Sequence, residues 1–149
     1  MESFNIDGKN CYVHKNESAD ICLIQPIGNH DLEILDKEVE QIKKLAPTVP
    51  FSFVAMLIND WNNELSPWKA PAVFGDEDFG AGANDTLTFI TETLLKKLNM
   101  NTDHIYLGGY SLAGLFSLWA AYQTDIFSGI AAVPRSGSAD GKDIWNHRV

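Results

Sequence analysis

The chain has 149 residues, of which 45% are hydrophobic and 21% charged, and it carries a formal net charge of −9. That length accommodates one domain with a real core and not two ordinary ones. The acidic balance, with no basic stripe, excludes a protein built to grip a nucleic-acid backbone, and apolar runs such as FVAMLI (53–58) fall far short of the roughly 18 residues that a membrane helix needs.

The N-terminus, MESFNIDGKN, lacks the basic start and apolar stretch of a signal peptide, so the expected compartment is the cytoplasm. Cys11 and Cys22 lie within apolar segments at a separation that matches no zinc pattern. They are read as buried thiols rather than a disulfide.

In chain order, FNIDGKNCYV (4–13) predicts a β-hairpin whose turn is Asp7-Gly8, the glycine supplying a positive φ. DICLIQPIG (20–28) is a continuous apolar run ended by Pro26 and Gly28, which suits a strand covered on both faces. In the next segment Leu32, Leu35, Val39, Ile42 and Leu45 recur at helical steps, acids lead, Lys43 and Lys44 close, and Pro47 follows. PFSFVAMLIN (50–59) is a second buried strand.

A connection of about 25 residues (60–84) comes next, far beyond the usual span between elements. It carries Trp61, Trp68, Phe74 and Phe79 among acidic residues. Two readings stand side by side: a lining for a pocket over the strand ends, or an Ω-like loop packed on its own aromatics. A second amphipathic helix is expected from about Asp85 to Leu98, with Leu87, Ile90, Leu94 and Leu98 on one face. HIYLGG (104–109) is a third buried strand, 112–123 a third helix and SGIAAV (128–133) a fourth strand. Buried strands alternating with helices predict an α/β fold: a mostly parallel sheet with helices on both faces, preceded by the hairpin.

In such sheets chemistry gathers at the carboxyl ends of the strands. Ser111 stands at one, where residues 109–113 read G-Y-S-L-A. The nucleophile-elbow pattern is G-x-S-x-G, with small residues two places either side because the turn is sharp. Ala113 adds one methyl where glycine is usual, and the turn is expected to close around it. A serine merely capping the following helix is the competing reading. If Ser111 is a nucleophile, the oxyanion hole should combine the N–H of Leu112 with one from the loop after strand 20–26, at Ile27 or Gly28. Tyr110, Trp61 and Trp68 are then expected to border the pocket.

Three stretches, GGYSLAGLFSLWAAYQT, NDWNNELSPWKAPAVFG and IQPIGNHDLE, resemble the compact bacterial α/β-hydrolase family of esterases (esterase D-like) over about residues 4–133. The resemblance implies an α/β-hydrolase fold, Ser111 as nucleophile and ester hydrolysis through an acyl-enzyme. It also implies that the acid and the histidine of the triad follow later strands. Only PRSGSADGKDIWNHRV (134–149) remains after the last strand, too little for two more βα units. The expectation is therefore a single domain over 1–149, incomplete at its C-terminus, with 134–149 an atypical tail.

Within the chain, His147 with Asp143 (or Asp140) keeps the Ser-acid-His set of residues as a speculative base and acid. His104 and His14 are expected away from the site. His30, on the correct edge, is read as helping to start a helix. No cofactor and no metal are expected, because no ligand spacing appears. The expected partner is a small-molecule ester, with neither nucleic acid nor membrane. Strand 128–133, an apolar edge, is expected to drive self-association. The reading from another class is a catalytically dead hydrolase-like fragment that acts as a binding or self-association module.

Overall fold

The computed structural model describes residues 1–73, 75–100 and 103–133. Its strands are β1 (Glu2–Ile6), β2 (Lys9–His14), β3 (Ile21–Ile27), β4 (Phe51–Leu57), β5 (His104–Tyr110) and β6 (Phe127–Val133). They form one six-stranded sheet in the order β1-β2-β4-β3-β5-β6. The hairpin pairs antiparallel within itself and onto β4, while β4, β3, β5 and β6 are parallel. Asp7 and Gly8 both take positive φ, 49° and 88°, the pair of values that a tight two-residue hairpin turn demands.

The period-2 alternation of each strand divides the core. From β4, Phe51, Phe53, Ala55 and Leu57 join Ile27, Leu35 and Val39 under α1 (Leu35–Leu45). Val54 and Met56 face the other way, with Cys22, Ile24, Leu107, Leu87, Ile90, Leu94 and Phe116. Each large side chain so buried contributes about 1.5–3 kcal/mol. The second layer holds α3 (Ala83–Thr88) and α5 (Leu112–Gln123). Helices therefore cover both faces, as the alternating pattern predicts.

Three elements differ from those expected. The helix expected from Leu32 opens as a 3-10 turn, Asn29–Ile34, before α1, and Leu45 at its far end is 84% exposed. The helix expected over 85–98 begins at α3, widens into a π turn over Phe89–Leu94 and ends in α4 (Leu95–Lys97). Thr86, Thr88 and Thr91 each place a hydroxyl on the carbonyl four residues back, competing with the amides that keep an α-helix regular.

The third difference is that the long connection holds secondary structure of its own, while being closed on itself and open to a cavity, so that both readings of it hold. It contains α2 (Trp61–Glu64), capped by the Asp60 carboxylate, and a bridge between Ala70 and Phe79. Gly80 and Gly82 donate to the carbonyls of Asn62 and Asn63 at 3.0 and 2.8 Å. A Cβ on Gly80 would lie 1.9 Å from the Asn63 side chain, so glycine there is what lets the loop close. Glu64 ties the loop to the hairpin through Lys9 and accepts the N–H groups of Asn59 and Asp60.

Among the described residues no helix is long and apolar enough to cross a membrane. Cys11 and Cys22 are free and buried.

Candidate active site at the end of strand β5

Ser111 is the single residue between β5 and α5. Its φ is 55° and its ψ −128°, a backbone state that costs a side-chain-bearing residue about 1–3 kcal/mol. The surroundings hold it there. Its N–H donates to the Val133 carbonyl at 2.8 Å, and its carbonyl accepts from Gly114 and Leu115 at 3.0 and 3.2 Å. The last residue of β6 thus anchors the turn, and the first amides of α5 close on it. No side-chain capping bond comes from Ser111, so the hydroxyl is not spent as a helix cap.

The small residues around the turn are set by close approach. A Cβ on Gly109 would lie 2.6 Å from the Cβ of Ala113, and one on Gly114 would lie 3.0 Å from the Gly109 carbonyl. Ala113 itself is fully buried. The methyl in the position usually held by glycine is accommodated because residue 109 has no side chain.

Two cavities meet at Ser111. The larger, about 640 Å³, is apolar, with Trp61, Phe79, Leu112, Leu115, Leu118 and Val133 among its walls. The smaller, about 450 Å³, is mixed and more polar than the first, with Gly28, Asn29, His30, Ile58, Asn59 and Tyr110 around the serine. Trp61 belongs to both and packs on Tyr110 with ring centroids 5.8 Å apart. The long connection therefore does supply pocket walls. Trp68 does not: the residue is 64% exposed and lines neither cavity, and the Ser66 hydroxyl holds its backbone by donating to its carbonyl. Phe74, Asp140, Asp143 and His147 lie outside the described residues.

The loop after β3 differs from expectation at the level of single amides. Ile27 is fully buried, its carbonyl accepts from Ile58 at 2.8 Å, and it lines neither cavity beside Ser111. Gly28 does line the smaller cavity, but its N–H donates to Asp31 Oδ2 at 2.9 Å and is not free for an oxyanion. Asn29, which the sequence did not single out, borders the same cavity at the first position of the 3-10 turn, where an N–H has no acceptor within the helix.

Beside this loop sits a polar cluster. Asp31 is only 7% exposed and accepts from Gly28 and, at 3.4 Å, from the Tyr110 hydroxyl. Tyr110 also hydrogen-bonds His30 Nε2. His104, at the start of β5, and His14, beside Phe53 at the start of β4, lie at the opposite end of the parallel strands. Burial, with Lys43 nearby, holds the His14 imidazole below its ordinary pKa. Among the described residues, no three His, Cys, Asp or Glu side chains group where they would hold a metal ion.

Strand order, helices on both faces and a strained serine at a strand end define an α/β-hydrolase fold. Solved structures agree on the fold. The siderophore hydrolase EstA from Aspergillus nidulans matches at 18% identity and a TM-score of 0.67, over 85% of this chain and 52% of that one. An IroE-like serine hydrolase from Shewanella oneidensis matches at 15% identity and 0.66, over 82% and 44%. The BES protein from Bacillus cereus matches at 17% identity and 0.65, over 87% and 60%. The chain thus spans about half the length of the structures it resembles. No family model matches the sequence, and no curated protein matches it.

Proposed function

We propose that the protein is a serine hydrolase acting on carboxylic esters through an acyl-enzyme on Ser111. The observation that carries this reading is the backbone of Ser111: a non-glycine residue at φ 55°, where two cavities meet at the carboxyl end of a parallel strand. Strain of that kind persists where the surroundings over-determine it, and it clusters at sites of chemistry. A serine needed only for capping would sit in an extended conformation and bond to an amide. The likeness to structures named as hydrolases supports the same reading.

In this scheme the acyl carbon lies between Ser111 and the donors for the oxyanion. Leu112, the first residue of α5, offers one N–H. The second comes from Asn29 rather than from Ile27 or Gly28, because the Gly28 amide is already held by Asp31. The apolar cavity over Leu115 and Leu118 takes a hydrophobic acyl or leaving group, and the more polar one accommodates the part of the ester that forms hydrogen bonds.

The test is to treat the folded protein with a fluorophosphonate and read its intact mass, with Ser111→Ala alongside. One adduct per chain, lost in the variant, is the expected result. A folded protein that takes no adduct overturns the reading and favours a catalytically dead binding module.

A further inference from the structure

A cavity wall can be set by residues that do not line it, and one such pair lies at the Ser111 end of the sheet. Lys9 opens β2 just beyond the β2–β4 pair of Cys11 with Met56, beside the carboxyl end of β4. Its ammonium meets the Glu64 carboxylate and lies 5.8 Å from the centre of the Phe89 ring, within cation–π range. The two side chains are only 18% and 17% exposed, and neither lines a cavity beside Ser111.

Glu64 Oε2 accepts the N–H groups of Asn59 and Asp60 at 3.0 and 2.6 Å, and the Glu64 N–H donates to the Asp60 carbonyl at 2.8 Å. The turn by which the chain leaves β4 is thereby fastened directly before Trp61. On one side of it the Ile58 N–H donates to the Ile27 carbonyl, and on the other the Thr86 hydroxyl donates to the Glu64 carbonyl at 2.6 Å. From α2, Trp61 and Asn62 line the apolar cavity, and the Asn62 carbonyl accepts the N–H of Gly80, the neighbour of Phe79. Trp61, Asn62 and Phe79 thus form a wall that hangs on α2, whereas Leu112, Leu115 and Leu118 form a wall that belongs to α5.

We propose that the Lys9–Glu64 pair is a specificity-determining brace. By fixing α2 relative to α5 it sets the width of the apolar cavity, and so selects esters by the length of their apolar chain. The selection of esters rests on Ser111 being the nucleophile; the position of the wall does not. Two sheltered charges give little stability that apolar residues of equal size would not give, because both lose their water. What they add is direction. One Glu64 oxygen is tied to the exit of β4 and the other to the hairpin, where an apolar side chain would fill the space without fixing α2.

The experiment compares the wild type with Glu64→Gln, the double variant Lys9→Met with Glu64→Leu, and Lys96→Met, which breaks the exposed Lys96–Glu92 pair. Circular dichroism confirms that each is folded, and Glu64→Gln alone decides if the double variant is not. The first quantity read is the fluorine resonance of fluorotryptophan at position 61, assigned with Trp61→Phe and Trp119→Phe. The second is the pair of second-order rates at which a methyl-chain and a dodecyl-chain fluorophosphonate label Ser111.

In Glu64→Gln and the double variant the Trp61 resonance is expected to shift by more than its line width, with that of Trp119 unmoved. The ratio of dodecyl to methyl rates is expected to fall about tenfold, the scale on which an apolar pocket discriminates between chains. Lys96→Met should match the wild type in both. Equal slowing of the two probes is general damage and overturns the proposal, as does an unchanged ratio or an unmoved Trp61 resonance in the folded variants. If neither probe labels the wild type, the nucleophile reading fails and the selection of esters with it; the Trp61 resonance then still decides whether the pair sets the wall.

Discussion

The methyl of Ala113 stands where a side chain on Gly109 would begin, 2.6 Å from that Cβ position. The two residues flank Ser111 on opposite arms of the turn, so the elbow tolerates one methyl and not two. Gly109→Ala should destabilise the fold by about 1–3 kcal/mol through overpacking. Ala113→Gly alone should cost about 1 kcal/mol in helix propensity. Together they should cost less than the sum, with a coupling of about 1–2 kcal/mol within the range seen for contacting residues. Urea unfolding of the four proteins measures it, and additive effects would show that the two arms are not in contact.

Ser111→Gly should separate strain from chemistry. Glycine adopts a positive φ without the steric penalty, so part of the 1–3 kcal/mol typical of such strain is recovered, less the entropy of the freer unfolded chain. A net gain of about 1 kcal/mol, or roughly 3 °C in Tm for a chain of this size, is expected. Ser111→Ala keeps the Cβ and should leave Tm nearly unchanged. Thermal unfolding followed by circular dichroism distinguishes the two, and an equal Tm for both would mean that the turn is not strained.

Burial pushes the Cys11 thiol up to about 11, against a smaller opposing effect of Lys9, and the Cys22 thiol up to about 12. The folded state holds these protons after the unfolded chain, at about 9, has begun to release them. Stability from these groups is therefore complete below pH 9 and lost as pH rises through 11 to 12. Unfolding free energies between pH 8 and 10.5 should fall, and the slope should be shallower in a Cys11→Ala, Cys22→Ala variant. In the native protein at pH 8 both thiols should resist iodoacetamide. Rapid alkylation without unfolding would contradict the burial.

Among the described residues β6 pairs on one side only, and it contains no charged residue. A second copy adding to this edge is the expected consequence. Sedimentation velocity should show association that rises with concentration, and Ser128→Lys should weaken it by setting like charges against each other. A monodisperse monomer at high concentration would count against the edge as an interface.

Much of the architecture is legible in the residues because hydrophobic periodicity is local. The alternating apolar runs mark β3 to β6, the helical spacing of Leu87, Ile90 and Leu94 marks one covering helix, and Asp7-Gly8 marks the hairpin. Ser111 is visible for a related reason: an elbow must be flanked by small residues, and they lie within a few positions of it. Amide-level detail is not local in this way. Ile27, Gly28 and Asn29 are equivalent candidates in a string of letters, and only the folded loop shows that Asp31 has taken the Gly28 amide. The same limit placed Trp68 in the pocket, because nothing in the residues around it tells which way a loop aromatic turns.

By itself, then, the sequence determined the α/β layering, the strand-end position of Ser111 and the small residues its turn requires, since each depends on neighbours in the chain. Tertiary structure alone decided that Val133 anchors the serine, that Trp61 divides two cavities beside it, and that His30, Asp31 and Tyr110 converge there. Those contacts join residues about 20 to 80 positions apart, and their geometry comes from the twist and order of the sheet, which no local pattern encodes.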